Sequence, residues 1–246
     1  MSDLSWLTAR PIAHRGYHDL NVSRWENTLS AFEAAAARNF AIECDVHLAK
    51  DGIPVVFHDD TLKRLTGMDG NVYDLTAAQL SELTVGGTED RVPTLQQMLE
   101  KVAGRVPLVI ELKGIAGQDD GLVAKVGKLL SAYRGNAAIM SFDHWLVRRF
   151  AADAPGIPGG LTAVGVEPER LEAHFSMLAH KLAFASFHTM ELPNPFTDML
   201  RHQLEMPVIT WTVRDRKGYD LTAAHADQMT FEGFDPDNAA DVAALK

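Results

Sequence analysis

The segment Ala41-Ile42-Glu43-Cys44-Asp45-Val46-His47-Leu48-Ala49-Lys50-Asp51-Gly52-Ile53-Pro54-Val55-Val56-Phe57-His58 holds two short apolar runs, and Pro54 comes only eight residues after Val46. A parallel crossover needs a dozen or more residues, so these runs are not consecutive parallel strands. Asp51-Gly52 in the gap is a tight-turn signal, and 54–58 is expected to fold back as one arm of a hairpin. That arm opens an excursion from about 47 to 91.

Outside the excursion, short apolar runs alternate with helical segments. The runs are Pro11–His14, Ala41–Val46, Pro107–Leu112, Ala137–Phe142, Ile157–Ala163, Lys181–Ser186, Pro207–Val213 and Gln228–Phe231. Helix starts are signalled by Asn27 before Leu29–Ala37, by the capping box of Thr94 and Gln97, and by Asp143 before His144–Ala151. Eight strands with helical crossovers imply an α/β fold, a TIM (β/α)8 barrel with a small insertion after the second strand. A doubly wound open sheet would place a glycine-rich phosphate loop after the first strand, and none follows Ile12. Residues 1–246 are read as one domain, matching the roughly 250 residues that a barrel uses.

Composition narrows the function. The chain is 46% hydrophobic and 23% charged, the balance of a globular protein with a substantial core. A formal net charge of −10 disfavours nucleic acid and stable membrane association, because both call for a basic face. One cysteine, no signal-peptide pattern and no long apolar stretch suggest a reduced, cytoplasmic protein. Oligomeric state is not readable from these features.

Barrel active sites lie at the C-terminal ends of the strands. Glu43 and Asp45 share one face of the second strand while Cys44 takes the other, and Glu111 and Lys113 end the next. Carboxylates gathered on adjacent strand ends raise one another's pKa or bind a hard cation through oxygen. The plainer alternative, surface acids paired with Lys50, Lys113 or Arg91, suits one such residue better than three. His14 and His58 each end a strand leading to this cluster, and histidine titrates where phosphodiester cleavage needs an acid and a base. Arg15 offers a fork for phosphate oxygens and Lys113 a point charge. Trp211 is either a core aromatic or a wall of the pocket.

Taken together, the chain resembles the glycerophosphodiester phosphodiesterases, most of all their short cytoplasmic bacterial members. The resemblance rests on His14-Arg15-Gly16, Glu26-Asn27-Thr28-Leu29, Glu43-Cys44-Asp45-Val46, Asp51 to Asp59, Pro93-Thr94-Leu95, Glu111-Leu112-Lys113, Ser141-Phe142 and Trp211-Thr212-Val213. It implies a TIM barrel with an insertion after the second strand. It also implies one divalent cation, Mg²⁺ or Ca²⁺, on Glu43, Asp45 and Glu111, and an acid/base pair in His14 and His58. Arg15 and Lys113 become phosphate contacts, with Glu26 and Asn27 supporting the first loop. The implied reaction is hydrolysis of a small glycerophosphodiester to glycerol 3-phosphate and an alcohol. A lysophospholipid or sugar phosphodiesterase and a catalytically silent phosphodiester-binding barrel are the alternatives. An apolar rim would mark the lipid case, and the acidic balance argues against one. Two departures touch the alcohol side: Arg214 stands where the family often has asparagine, and Thr230-Phe231-Glu232-Gly233-Phe234 replaces a Thr-Asp pair near a proline.

Overall fold

The computed structural model describes residues 3–246. Its strands are β1 (Ile12–Ala13), β2 (Ala41–Leu48), β3 (Pro54–Val56), β4 (Leu108–Leu112), β5 (Ala137–Ser141), β6 (Gly159–Ala163), β7 (Phe184–His188), β8 (Val208–Val213) and β9 (Gln228–Phe231). All but β3 are parallel and follow one another round a ring. The ring closes where β9 pairs with β1 at Ile12↔Thr230 and β1 pairs with β2 at Ile12↔Ala41. Closure gives each of these eight strands a partner on both sides.

The ninth strand does not break the eight-strand count, because β2 is long enough to serve two neighbours on one side. Its first residues, Ala41 and Ile42, pair with β1, and Val46 to Leu48 pair antiparallel with Val56 to Pro54. Gly52 makes the turn with φ +73°, the left-handed region that glycine enters without steric cost. Beyond β3 the chain folds the short helices Lys63–Thr66 and Ala77–Leu80 around a core of their own, in which Phe57, Leu62, Leu65, Val72 and Leu80 are buried. Helix Leu95–Val102 then returns to the barrel, started by the expected capping box. Thr94 Oγ1 accepts from Gln97 N at 3.1 Å, and Gln97 Oε1 accepts from Thr94 N at 2.9 Å.

Two helices start where expected but are capped differently. Thr28, not Asn27, caps Leu29–Ala37, its Oγ1 accepting from Ala31 N, which releases the Asn27 side chain for another task. Asp143 turns its carboxylate to Gly114 N at 2.6 Å, and the helix expected over His144–Ala151 is two short pieces, His144–Val147 and Phe150–Asp153.

Alternation along the strands separates two apolar layers. Ile42, Cys44 and Val46 pack outward against the helices, with Cys44 beside Met98. Ile12, Ala41, Val109, Ala138, Phe184 and Ile209 fill the barrel, and Leu7 of helix Ser5–Thr8 joins them from below. A Cβ at Gly160 would meet the Phe184 ring at 2.4 Å, so that ring occupies the barrel axis only because β6 carries no side chain there. The barrel interior is therefore filled by side chains, and a cleft opens above it, at the C-terminal strand ends.

Candidate active site

The first loop is shaped by two left-handed residues, Arg15 (φ +54°) and Gly16 (φ +82°). A Cβ at Gly16 would come within 3.0 Å of Ala31 and Phe32, so only glycine lets the loop lie against the following helix. The turn aims the Arg15 amide at Glu43, whose Oε2 accepts from it at 2.8 Å. Asn27, freed from capping, donates from Nδ2 to Asp45 Oδ2 at 2.8 Å. Neighbouring strands β2 and β4 pair Asp45 with Glu111. All three carboxylates are buried, and oxygens of Glu43, Asp45 and Glu111 lie within 4.8 Å of one another.

Such crowding has electrostatic consequences. Burial, reinforced by Asp45 and Glu111, pushes the Glu43 carboxyl well above its usual range, and burial raises Glu111 too. Burial also opposes the charge on Asp45, but Lys113 and Arg15 outweigh it and hold Asp45 below the usual carboxylate range. Lys113 Nζ sits 2.9 Å from Asp45 Oδ1 and also pairs with Glu111. Arg15 approaches Asp45 Oδ2 with Nε at 3.4 Å while its Nη1 donates to Glu26 at 2.6 Å. Buried Arg15 Nε has no hydrogen-bond partner among the described residues, so a donor faces the carboxylate cluster unused.

The two singled-out histidines flank the cluster. His14 Nδ1 is 2.5 Å from Glu232 Oε2, and its Nε2 faces Glu43 Oε2 at 4.0 Å. Burial pushes His14 down to about 4, against the opposing pull of its contact with Glu232. His58 lies at the end of the hairpin arm with Nδ1 2.7 Å from Asp59 Oδ1, and burial lowers it as well. Arg64 clamps Asp59 from Nε at 2.7 Å and reaches Glu26 with Nη1 at 2.9 Å, tying the hairpin to the first loop.

A cleft of about 120 Å³ brings together His14, Arg15, Glu43, Asp45, His58, Glu111, Lys113 and Trp211. Trp211 walls this cleft, half-buried, with Nε1 donating to Ser186 O at 3.2 Å and its ring edge-on to Phe142 at 5.1 Å. The segments after β5, β6 and β7 carry exposed Phe142, Trp145, Val164, Val166 and Met190, an apolar arc that the acidic composition gave no reason to expect.

Four residues near the site were not read from the sequence as neighbours of the two histidines. His18 and Glu232 meet beside His14, and Asp59 and Arg64 hold His58. Glu232 lies 218 positions from its partner, beyond the reach of any periodicity. Asp59, adjacent to His58, was the one with a local signal.

Fold and site define a class, the TIM-barrel phosphodiester hydrolases, and the protein is an enzyme of that class. Within it, the Glycerophosphoryl diester phosphodiesterase family matches residues 14–239, nearly the whole chain, which belongs to that family. A Bacillus subtilis (strain 168) protein, YhdW, provisionally named a glycerophosphodiester phosphodiesterase, is 34% identical over 238 residues, covering 90% of this chain and 91% of its own. The glycerophosphodiester phosphodiesterase of Caldanaerobacter subterraneus subsp. tengcongensis is 36% identical over 160 residues, 61% of this chain and 65% of that one. An Oleispira antarctica phosphodiesterase, solved with its product sn-glycerol-3-phosphate, superposes with a TM-score of 0.78 at 25% identity, covering 91% and 92% of the two chains. Among the described residues no helix is long and apolar enough to cross a membrane.

Proposed function

We propose that this enzyme hydrolyses glycerophosphodiesters to glycerol 3-phosphate and an alcohol with the help of one divalent cation. The observation that carries the reading is the gathering of three buried carboxylates between two histidines and two cationic side chains. The donor set fits a metal. Three acids this close, two of them raised in pKa, lack enough positive charge from Lys113 and Arg15 alone. All the donors are oxygen, which suits Mg²⁺ or Ca²⁺ at about 2.0–2.6 Å. Glu43, Asp45 and Glu111 would hold the ion, which when bound neutralises charge on a phosphate oxygen.

The chain's own groups supply the remaining chemistry. Arg15 and Lys113 offer donors to the other phosphate oxygens and orient the diester. One of His14 and His58 accepts the proton of the attacking oxygen, and the other, protonated, returns a proton to the leaving alkoxide. The attacker is water or the substrate's own neighbouring hydroxyl, the latter passing through a cyclic phosphate. Residues 47–91 act as an insertion within a single barrel domain, their hairpin carrying His58 over the cleft.

The test is product analysis with glycerophosphocholine and glycerophosphoethanolamine, with and without chelator. Glycerol 3-phosphate should form only with the cation present. Failure to cleave any diester would leave the silent binding barrel as the reading. A lysophospholipid substrate is the second reading, favoured by the exposed arc of Phe142, Trp145, Val164, Val166 and Met190 beside the cleft. An acyl chain would lie there, burying apolar surface at roughly 25 cal/mol per Å². Rat lysophospholipase D GDPD1 is 34% identical over 139 residues, 51% of this chain and 42% of that one. A higher kcat/KM for lysophosphatidylcholine than for glycerophosphocholine would select this second reading.

A further inference from the structure

His14 and Glu232 come from opposite ends of the chain and meet because β1 and β9 are neighbours in the closed barrel. Around Glu232 three side chains gather. His14 Nδ1 stands 2.5 Å from Oε2, Arg214 Nε donates to Oε1 at 2.6 Å, and His18 Nε2 faces Oε2 at 3.7 Å. Two explanations fit a His-His-Glu cluster whose ligand atoms all lie within 4.8 Å: a second cation site, or a hydrogen-bonded support.

The distances and proton positions favour the support. Donors sharing a tetrahedral ion at about 2.0–2.2 Å stand roughly 3.3 Å apart, whereas 2.5 Å between His14 and Glu232 leaves room only for a proton. His18 has the wrong tautomer as well. The Leu20 amide donates to His18 Nδ1 at 3.2 Å, so a neutral His18 carries its proton on Nε2 and presents a donor, not a lone pair, to the cluster. That Nε2 is buried and has no hydrogen-bond partner among the described residues, and the acceptor it faces is Glu232.

Resting on the function proposed above, we infer that Glu232 is a positioning residue. It holds His14 in the tautomer protonated on Nδ1, so that the Nε2 lone pair points at the carboxylate cluster, and is itself held by Arg214, with His18 facing it. Arg214, one departure from the family's motifs, and Glu232, within the other, thus form one pair on neighbouring strand ends. A carboxylate behind a histidine fixes ring orientation and tautomer together, and loss of such a partner typically costs about 10–100-fold in activity.

The test is a double-mutant cycle on the full-length enzyme with saturating Mg²⁺ or Ca²⁺ and glycerophosphocholine, comparing wild type, Glu232→Gln, His14→Ala and the double variant. Glu232→Gln should lower kcat about 10–100-fold with KM and metal affinity within twofold of wild type. Added to His14→Ala it should cost nothing further, because Glu232 acts through that ring. Equal losses in both backgrounds, or full turnover in Glu232→Gln, would overturn the inference, the first by showing that Glu232 binds substrate or a cation in its own right. A second measurement needs no Glu232 variant. Nitrogen-15 NMR of wild-type histidines, with His14 assigned by its absence in His14→Ala, should find Nδ1 protonated and Nε2 unprotonated, and the opposite tautomer would overturn the inference. An inactive wild type would instead remove the proposed function, while the tautomer measurement would still decide the contact.

Discussion

Lys113 Nζ lies 2.9 Å from Asp45 Oδ1 and pairs at the same time with Glu111, so one ammonium sits between carboxylates from two neighbouring strands. It is the main counter-charge of a buried acidic cluster when no cation is bound. Removing one partner from a buried ion pair costs about 3–5 kcal/mol, because the remaining charges stay buried and unpaired. Lys113→Met is therefore expected to lower the stability of the metal-free protein by about 3 kcal/mol, at the low end because the side chain keeps 18% of its surface in water. Mg²⁺ or Ca²⁺ should raise its melting temperature more than that of wild type. Scanning calorimetry with and without the cation measures both, and an equal metal-induced rise in the two proteins would count against the shared role.

The histidines are predicted to move protons and not to hold the cation. Replacing His14 or His58 with Ala should cut turnover by about 10²–10⁴-fold while metal affinity stays close to wild type. Full activity in His58→Ala would reduce the hairpin to a roof over the cleft.

Arg214 stands half in solvent at the cleft, with Nε on Glu232. Arg214→Asn should change the ratio of kcat/KM between glycerophosphocholine and glycerophosphoserine more than it changes the summed rate. An equal loss on both headgroups would assign the position to holding Glu232 and nothing else.

Stability and catalysis are separable at the capping box. Thr94→Ala removes the acceptor for Gln97 N and should cost about 1 kcal/mol, read as a lower denaturation midpoint with kcat unchanged. A parallel drop in kcat would mean that helix Leu95–Val102 and the hairpin it contacts help shape the site.

Much of the fold was legible because its determinants are local. The gap between Val46 and Pro54 ruled out a crossover, and the eight remaining runs match the strands that close the barrel. The placement of Glu43 and Asp45 on one face followed from the two-residue period of a strand, with Cys44 turned outward to Met98. The cap of the first long helix was misread by one residue, since Asn27 and Thr28 are both good caps and only the tertiary bond to Asp45 decides between them. The partners of the histidines were less accessible. Glu232 reaches His14 through closure of the ring, a relation between strands that no window of sequence contains. The apolar arc escaped notice because net charge averages the whole surface, whereas Phe142, Val164 and Met190 are gathered only by the order of β5, β6 and β7.

The central claim is that Glu43, Asp45 and Glu111 together hold one divalent cation. Calorimetric titration of Mg²⁺ and of Ca²⁺ into chelator-treated wild type, Glu43→Gln, Asp45→Asn and Glu111→Gln tests it most directly. One ion per chain should bind to wild type, and each neutralised variant should bind it at least about tenfold more weakly, the loss expected when a charged ligand becomes a neutral one. Unchanged stoichiometry and affinity in any of the three variants would contradict the claim.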